Sequence, residues 1–103
     1  MTPAVLHILL SLAAEDRHGL GIAADVKAFT GGRLVLGPGT LYGTIKRLAE
    51  AGLIEDLGRA SAEDDDPRRR YYRITARGRR ALEAETANLA SVVGVAKRRL
   101  RTP

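Results

Sequence analysis

The stretch Gly37-Pro38-Gly39-Thr40-Leu41-Tyr42-Gly43-Thr44-Ile45-Lys46-Arg47-Leu48-Ala49-Glu50-Ala51-Gly52-Leu53-Ile54 carries the reading of the whole chain. It has the marks of a bounded helix. Pro38 suits a first helical position, because the N–H that proline lacks has no partner in a first turn. Gly52 suits the stop, where a left-handed residue is wanted. Between them Leu41, Ile45 and Leu48 recur at spacings of four and three, one apolar stripe. The rest of the surface carries Thr40, Tyr42, Gly43, Thr44, Lys46 and Arg47, with Glu50 as its acid. Small, hydroxyl-bearing and cationic groups can approach phosphates and base edges closely. An ordinary amphipathic surface helix has the same pattern, so the neighbours have to decide.

Upstream, residues 3–14 read as a first helix, capped by Thr2 and with Pro3 in its first turn. This segment is apolar nearly all round. One face therefore packs on the domain, and another is available for a second subunit or for a central core position. Its one ionisable side chain, His7, reads as packed or partly exposed rather than as a ligand. Glu15 to Gly19 is a polar turn, and a second helix follows over about 19–29 with Ile22, Val26 and Phe29 on one face. Gly31-Gly32 breaks it. Two short helices and a third after a Gly-containing connection give the helix-turn-helix order.

Downstream the period changes. Leu53 to Leu57 and Arg69 to Thr75 read as two strands, with Tyr72 and Ile74 on one face and Tyr71 and Arg73 on the other. Gly58 to Arg68 is a long hairpin loop, and a hairpin directly after such a helix is a wing. Glu63-Asp64-Asp65-Asp66 precede Arg68-Arg69-Arg70 in it. Four acids repel a phosphate backbone, so the tip is expected to turn away from DNA, or to pair with the arginines in its absence. Arg68, Arg69 and Arg70 are the expected wing contacts. A last helix, capped by Thr75, runs from about 76 to 100 with Leu82, Leu89, Val92, Val93, Ala96 and Leu100 near a 3.5-residue repeat and Thr86 in the same stripe. At 1.5 Å per residue it is roughly 37 Å long. That is too long for so small a body to cover, so part of the stripe is expected to pack on a second subunit in coiled-coil fashion. A solvated tail beyond about residue 92 is the alternative.

Composition bounds the rest. The 103 residues suit one domain, with a core that must be aliphatic because aromatics make up only 4%. Seventeen Lys and Arg against twelve acids give +5, a balance that suits a polyanion partner. Without cysteine there is no disulfide, thiolate metal site or cysteine nucleophile. The apolar run 4–14 is shorter than the roughly 20 residues of a membrane span, and no basic segment precedes it as in a signal peptide. The reading is a cytoplasmic protein with no membrane association. The two histidines are far apart in sequence, no Gly-rich phosphate loop follows a strand, and no metal spacing stands out. An enzyme is not expected, and no cofactor is implied.

In this order the residues resemble the PadR family of transcriptional regulators. Ile8-Leu9-Leu10-Ser11-Leu12 followed by His18-Gly19 is similar to the family's first helix and the His-Gly that opens its second. Gly37-Pro38-Gly39-Thr40-Leu41-Tyr42 resembles its Pro-Gly-Thr-Leu-Tyr signature, and Lys46-Arg47-Leu48 with Gly52-Leu53-Ile54 the close of the recognition helix. Arg70-Tyr71-Tyr72-Arg73-Ile74-Thr75-Ala76-Arg77-Gly78 resembles the Tyr-Arg-Leu-Thr-x-x-Gly at the wing exit. The resemblance spans about residues 5–85. It implies a mainly α fold with a small β-hairpin: a winged helix-turn-helix over 1–75 and a C-terminal dimerisation helix over 76–103. It implies a homodimeric regulator, a repressor by expectation, that binds a near-palindromic operator in double-stranded DNA. Thr40, Tyr42, Lys46 and Arg47 would face the DNA, with Gly43 clearing the approach. The dimer is expected to form through the first and last helices, at Val5, Leu9, Leu82, Leu89, Val93 and Ala96. Two departures stand out. Leu20 occupies the position where the family usually has Tyr, and the C-terminal portion is short. With no Trp and one Phe, an aromatic drug sandwich is not expected, and a small-molecule effector, if one acts, has no identity here. The competing reading is a winged-helix module that binds protein rather than DNA. Steep salt dependence separates the two.

Overall fold

In a computed structural model, residues 1–59 and 69–101 are described. The chain runs α1 (Pro3–Ala14), β1 (Arg17–His18), α2 (Gly19–Phe29), α3 (Pro38–Glu50), β2 (Ile54–Arg59), β3 (Arg70–Ile74) and α4 (Ala76–Arg101). The boundaries follow from local chemistry. Thr2 caps α1, its hydroxyl accepting from the Val5 N–H at 3.2 Å. α3 starts at Pro38 after Gly37, with no side-chain cap. Both α2 and α3 end in the paired bonds that close a helix through a left-handed glycine. At α2, Gly31 N donates to Ala28 O and Gly32 N to Lys27 O. At α3, Gly52 N donates to Ala49 O and Leu53 N to Leu48 O, and Gly52 has φ 75°. At such an angle the Cβ of any other residue crowds its own backbone.

The three strands form one antiparallel sheet in the order β1-β3-β2. Two strands were expected from the sequence, and β1 is the addition. Its residues Arg17 and His18 pair with Tyr72 and Tyr71 on the free edge of β3. A two-residue strand is too short to show alternation, and its partner lies far along the chain. In the β2–β3 ladder a bulge falls between Asp56 and Gly58, where Gly58 has φ 83° and donates its N–H to Asp56 Oδ1 at 2.7 Å. Beyond it lie residues 60–68. The acidic segment 63–66 and Arg68 are therefore outside the described residues. With two strands after a third helix, the molecule is a winged helix.

The core sits where α1, α2 and α3 converge on the inner face of the sheet. Ile8, Leu9, Leu12, Ile22, Val26, Leu41, Ile45, Leu48, Ile54, Tyr72, Ile74 and Leu82 are all buried in it. Tyr72 and Ile74 face inward, as their period of two predicts. Three sequence-based placements change. Phe29 lies off the core, 46% exposed, with its ring stacked on His7 at 5.8 Å between centroids. Phe29 shares its helix face with the buried Ile22 but is the last residue of α2, past the turn that Val26 places in the core. Thr44 is buried rather than exposed, because it occupies the position between Leu41 and Leu48 that faces inward with Ile45. Leu9 and Leu82 are enclosed by their own chain and offer no surface to a second subunit, so both leave the expected dimer interface.

The first turn of α4 is anchored on the turn after α3. Thr75 Oγ1 donates to Gly52 O at 2.7 Å and accepts from Gly78 N at 3.0 Å, while Thr75 N donates to Leu53 O at 3.1 Å. Gly78 and Leu82 are buried there, and after Glu85 the helix runs out from the body with its side chains mostly exposed. This projection gives the molecule an extent of 60 Å along its long axis against 28 and 22 Å across.

Candidate nucleic-acid interface

α3 presents two sides. Leu41, Thr44, Ile45 and Leu48 point inward. Thr40, Tyr42, Lys46, Arg47 and Glu50 are exposed and Gly43 is half-buried. Helix geometry sets Tyr42 beside Lys46, and Thr40 beside Gly43 and Arg47. The structure thus brings the five α3 residues expected from the sequence onto one outer surface. Arg47 lies back along the helix, its Nη2 donating to Thr44 Oγ1 at 3.2 Å. This is the direction that helical side chains take toward the N-terminus. Among the described residues a Cβ built on Gly43 would meet only Arg47 Nη1, at 3.7 Å, and none of them requires glycine at this position.

Tyr42 is partly seated on α2. Its ring is 46% exposed, but its inner edge rests against the start of α2. A Cβ on Gly19 would lie 2.6 Å from Tyr42 Cε1 and 2.8 Å from its hydroxyl. Gly19 is therefore a glycine so that α3 and α2 can touch through this ring. Tyr42 shows a partly covered ring packed on α2 together with an open outer edge.

The α2 start is organised by His18, whose Nδ1 accepts from Gly21 N at 3.0 Å. This places the His18 proton on Nε2. The sequence marked His18-Gly19 as a helix opening but did not identify the imidazole as the cap; a polar residue directly before a helix-starting glycine was the available signal. The His18 ring also meets Tyr71 edge-on at 5.4 Å. Arg17 reaches Glu15 at 2.9 Å and Asp25 at 3.6 Å, and Arg73 reaches Asp16 at 2.8 Å. The Arg73–Asp16 pair ties the α1–α2 turn to β3, and the half-buried Arg17 ties β1 to α2.

On the wing, Arg69 is half-buried and Arg70 exposed. Arg70 Nε donates to Asp56 Oδ2 across the hairpin at 2.8 Å. This hydrogen bond first holds the Asp56 carboxyl below the usual aspartate range; burial opposes it, and the Gly58 N–H and the Arg70 charge add smaller lowering effects. Because the folded value is depressed, the pair contributes fully above the ordinary aspartate range. It is lost as pH falls through the folded value. Both groups are largely solvated, so the contribution is small. The expected result is a carboxyl-carbon titration of Asp56 with a midpoint below that of a solvated aspartate, restored toward the ordinary value by Arg70→Ala. Equal midpoints in parent and variant would show that the pair does not persist in solution.

Between the start of α2 and β3 lies an open cleft of about 370 Å³. Gly19 and Leu20 form one wall, Tyr42 closes it toward α3, and Arg69, Arg70 and Tyr72 form the other wall. No group of three or more His, Cys, Asp or Glu able to hold a metal occurs among the described residues. No helix among them is long and apolar enough to cross a membrane. The outer part of α4 carries a second surface. Leu89, Val92 and Val93 are 41%, 56% and 50% exposed, Ala96 is exposed, and Val5 of α1 is half-buried.

Comparison with known proteins agrees with this geometry. The family model described as the transcriptional regulator PadR-like family matches residues 5–84. An uncharacterized 37.1 kDa protein in a transposon of Streptomyces fradiae is 34% identical over 87 residues, which are 84% of this chain and 23% of that protein. The chain thus spans about a quarter of the length of that curated relative. A transcriptional regulator from Clostridium thermocellum is 25% identical, with a TM-score of 0.78 over 92% of this chain and 87% of the other. A PadR family transcription regulator from Clostridium difficile shares the fold at a TM-score of 0.81, 24% identical over 96% of this chain and 99% of that one. Bacillus subtilis PadR, solved with operator DNA, shares it at 0.67 and 21% identity, over 80% of this chain and 45% of that one.

Proposed function

The chain belongs to the PadR-like family of transcriptional regulators, and we propose that it acts as a homodimeric repressor that binds a near-palindromic operator in double-stranded DNA. One observation carries the reading: the exposed surface of α3 gathers Thr40, Tyr42, Lys46 and Arg47 on one side of a helix whose other side is locked into the core. A solved relative of the same fold is bound to operator DNA, which supports the choice of partner. In this reading Lys46 and Arg47 meet phosphates or guanine edges, Thr40 sits near the open N-terminus of α3 where a phosphate is favoured, and Arg69 and Arg70 follow the backbone from the wing.

Residues 1–75 form the reading unit and the helix from 76 onward the dimerisation element. Two subunits joined along α4 space two recognition helices for half-sites about 34–36 Å apart on one face of B-DNA. The exposed Leu89, Val93 and Ala96 with the half-buried Val5 supply the contact. The cytoplasm is the compartment this function requires. An effector, if one acts, is a small molecule of unassigned chemistry.

Lys46→Ala and Arg47→Ala are expected each to weaken binding by about 1–3 kcal/mol where the contact is to a base, and to flatten the salt dependence by about one unit where it is to a phosphate. Gel-shift titrations at several salt concentrations give both numbers. Parent-like binding by both variants would remove α3 as the reader and favour a module that docks on protein.

A further inference from the structure

The cleft between α2 and β3 has one feature that the recognition surface does not use. Tyr72 is only 8% exposed and lines the cleft; its hydroxyl is not among the fully enclosed polar atoms and makes no hydrogen bond to another described residue. With its ring in the core, the hydroxyl takes its partner, water or ligand, from the cleft. The groups that converge with it are donors. The backbone N–H groups at a helix start have no carbonyl within the helix, and Gly19 and Leu20 lie on the opposite wall. The Arg70 guanidinium stands at the rim. The nearby acceptor, Asp56, already receives Arg70 Nε and Gly58 N–H. A ligand that suits these donors is an acceptor with several lone pairs and negative charge.

We propose that the cleft seats one backbone phosphate of bound DNA, held by the Tyr72 hydroxyl, the first N–H groups of α2 and Arg70. This rests on the DNA-binding reading above and adds a place for one phosphate. Position favours DNA as its source: Tyr42 closes the cleft on the α3 side and shares the outer surface with Lys46, so a strand lying along α3 passes the cleft mouth. The helix dipole at α2 adds to the attraction. Tyr72 keeps its proton, since burial first, with the Asp56 charge behind it, raises the phenol above its ordinary value, and it remains a donor throughout the pH range of binding.

The test is Tyr72→Phe, which keeps the ring in the core and removes only the hydroxyl. The probe is a duplex of more than two turns from upstream of the gene, together with versions carrying one uncharged methylphosphonate at successive positions. The expected result is unchanged or slightly higher thermal stability, DNA binding weakened about tenfold as for a lost bond to a charged group, and loss of the parent's sensitivity to methylphosphonate at one position per half-site. Parent-like affinity and sensitivity in Tyr72→Phe would overturn the proposal. The DNA reading would then stand or fall separately on the Lys46 and Arg47 variants. Inorganic phosphate forms the second arm, followed by the amide signals of Gly19 and Leu20. Shifts with phosphate in a protein that binds no DNA would assign the cleft to a free anion, and would overturn both the backbone-phosphate proposal and the DNA reading.

Discussion

Gly78→Ala is expected to destabilise the fold by about 2 kcal/mol, which lowers the melting temperature of a domain near this size by roughly 8–16 °C. A Cβ at this position would lie 2.0 Å from the Leu53 carbonyl oxygen and 2.9 Å from Ile74 Cγ1. The first contact is with backbone, and that carbonyl also accepts the Thr75 N–H at 3.1 Å. Relief requires the start of α4 to lift from the turn after α3, and this breaks the chain of bonds from Gly78 N through Thr75 Oγ1 to Gly52 O. Overpacking of this severity costs about 3 kcal/mol, while alanine in place of a helical glycine returns at most about 1 kcal/mol. The overlap wins. Gly43→Ala provides the contrast, because a Cβ there meets only an arginine tip at 3.7 Å. Its melting temperature should rise. A Gly78→Ala protein that melts with the parent would show that α4 does not pack against Leu53 as described.

The second large effect belongs to the outer part of α4. Leu89→Asp combined with Val93→Asp is expected to give a monomer that binds a two-half-site duplex at least about a hundredfold more weakly. The two side chains, 41% and 50% exposed in the single chain, lie one helical turn apart. Full burial of an aliphatic side chain stabilises by about 1.5–3 kcal/mol. In a two-fold interface each substitution counts twice, so the pair removes several kcal/mol before the cost of burying four carboxylates. The chain's own core should hardly change, since Leu82 and Gly78 anchor the helix upstream. Light scattering gives the mass and a thermal melt the fold. A double variant that stays dimeric would move the interface off this stripe.

Much of the architecture was legible because its punctuation is local. Thr2-Pro3, Gly31-Gly32, Pro38, Gly52 and Thr75 fix the ends of the helices by backbone chemistry that a short window of sequence contains. The alternation around Tyr72 and Ile74 did the same for β3. What escaped the sequence depends on approach between distant segments. β1 exists because Arg17 and His18 meet the edge of β3. Gly19 is small because Tyr42 lies on it. Leu9 and Leu82 resembled interface residues because a nearly all-apolar helix and a long periodic one do not reveal which of their positions meet their own body. The outer side of α3 was the easier part: residues four apart on a well-bounded helix share a side wherever that helix docks. Thr44 was the exception, since a small polar residue fits an inward position next to Ile45 as readily as an outward one.

The central claim is sequence-specific binding of DNA, and the measurement that reaches it directly is a titration of the purified protein against a duplex from its own upstream region and against a scrambled duplex, each at two salt concentrations. Sequence-specific binding predicts that both affinities fall as salt rises and that the upstream duplex keeps a clear preference at the higher salt. Equal affinity for the two duplexes, or no binding to either, would contradict it.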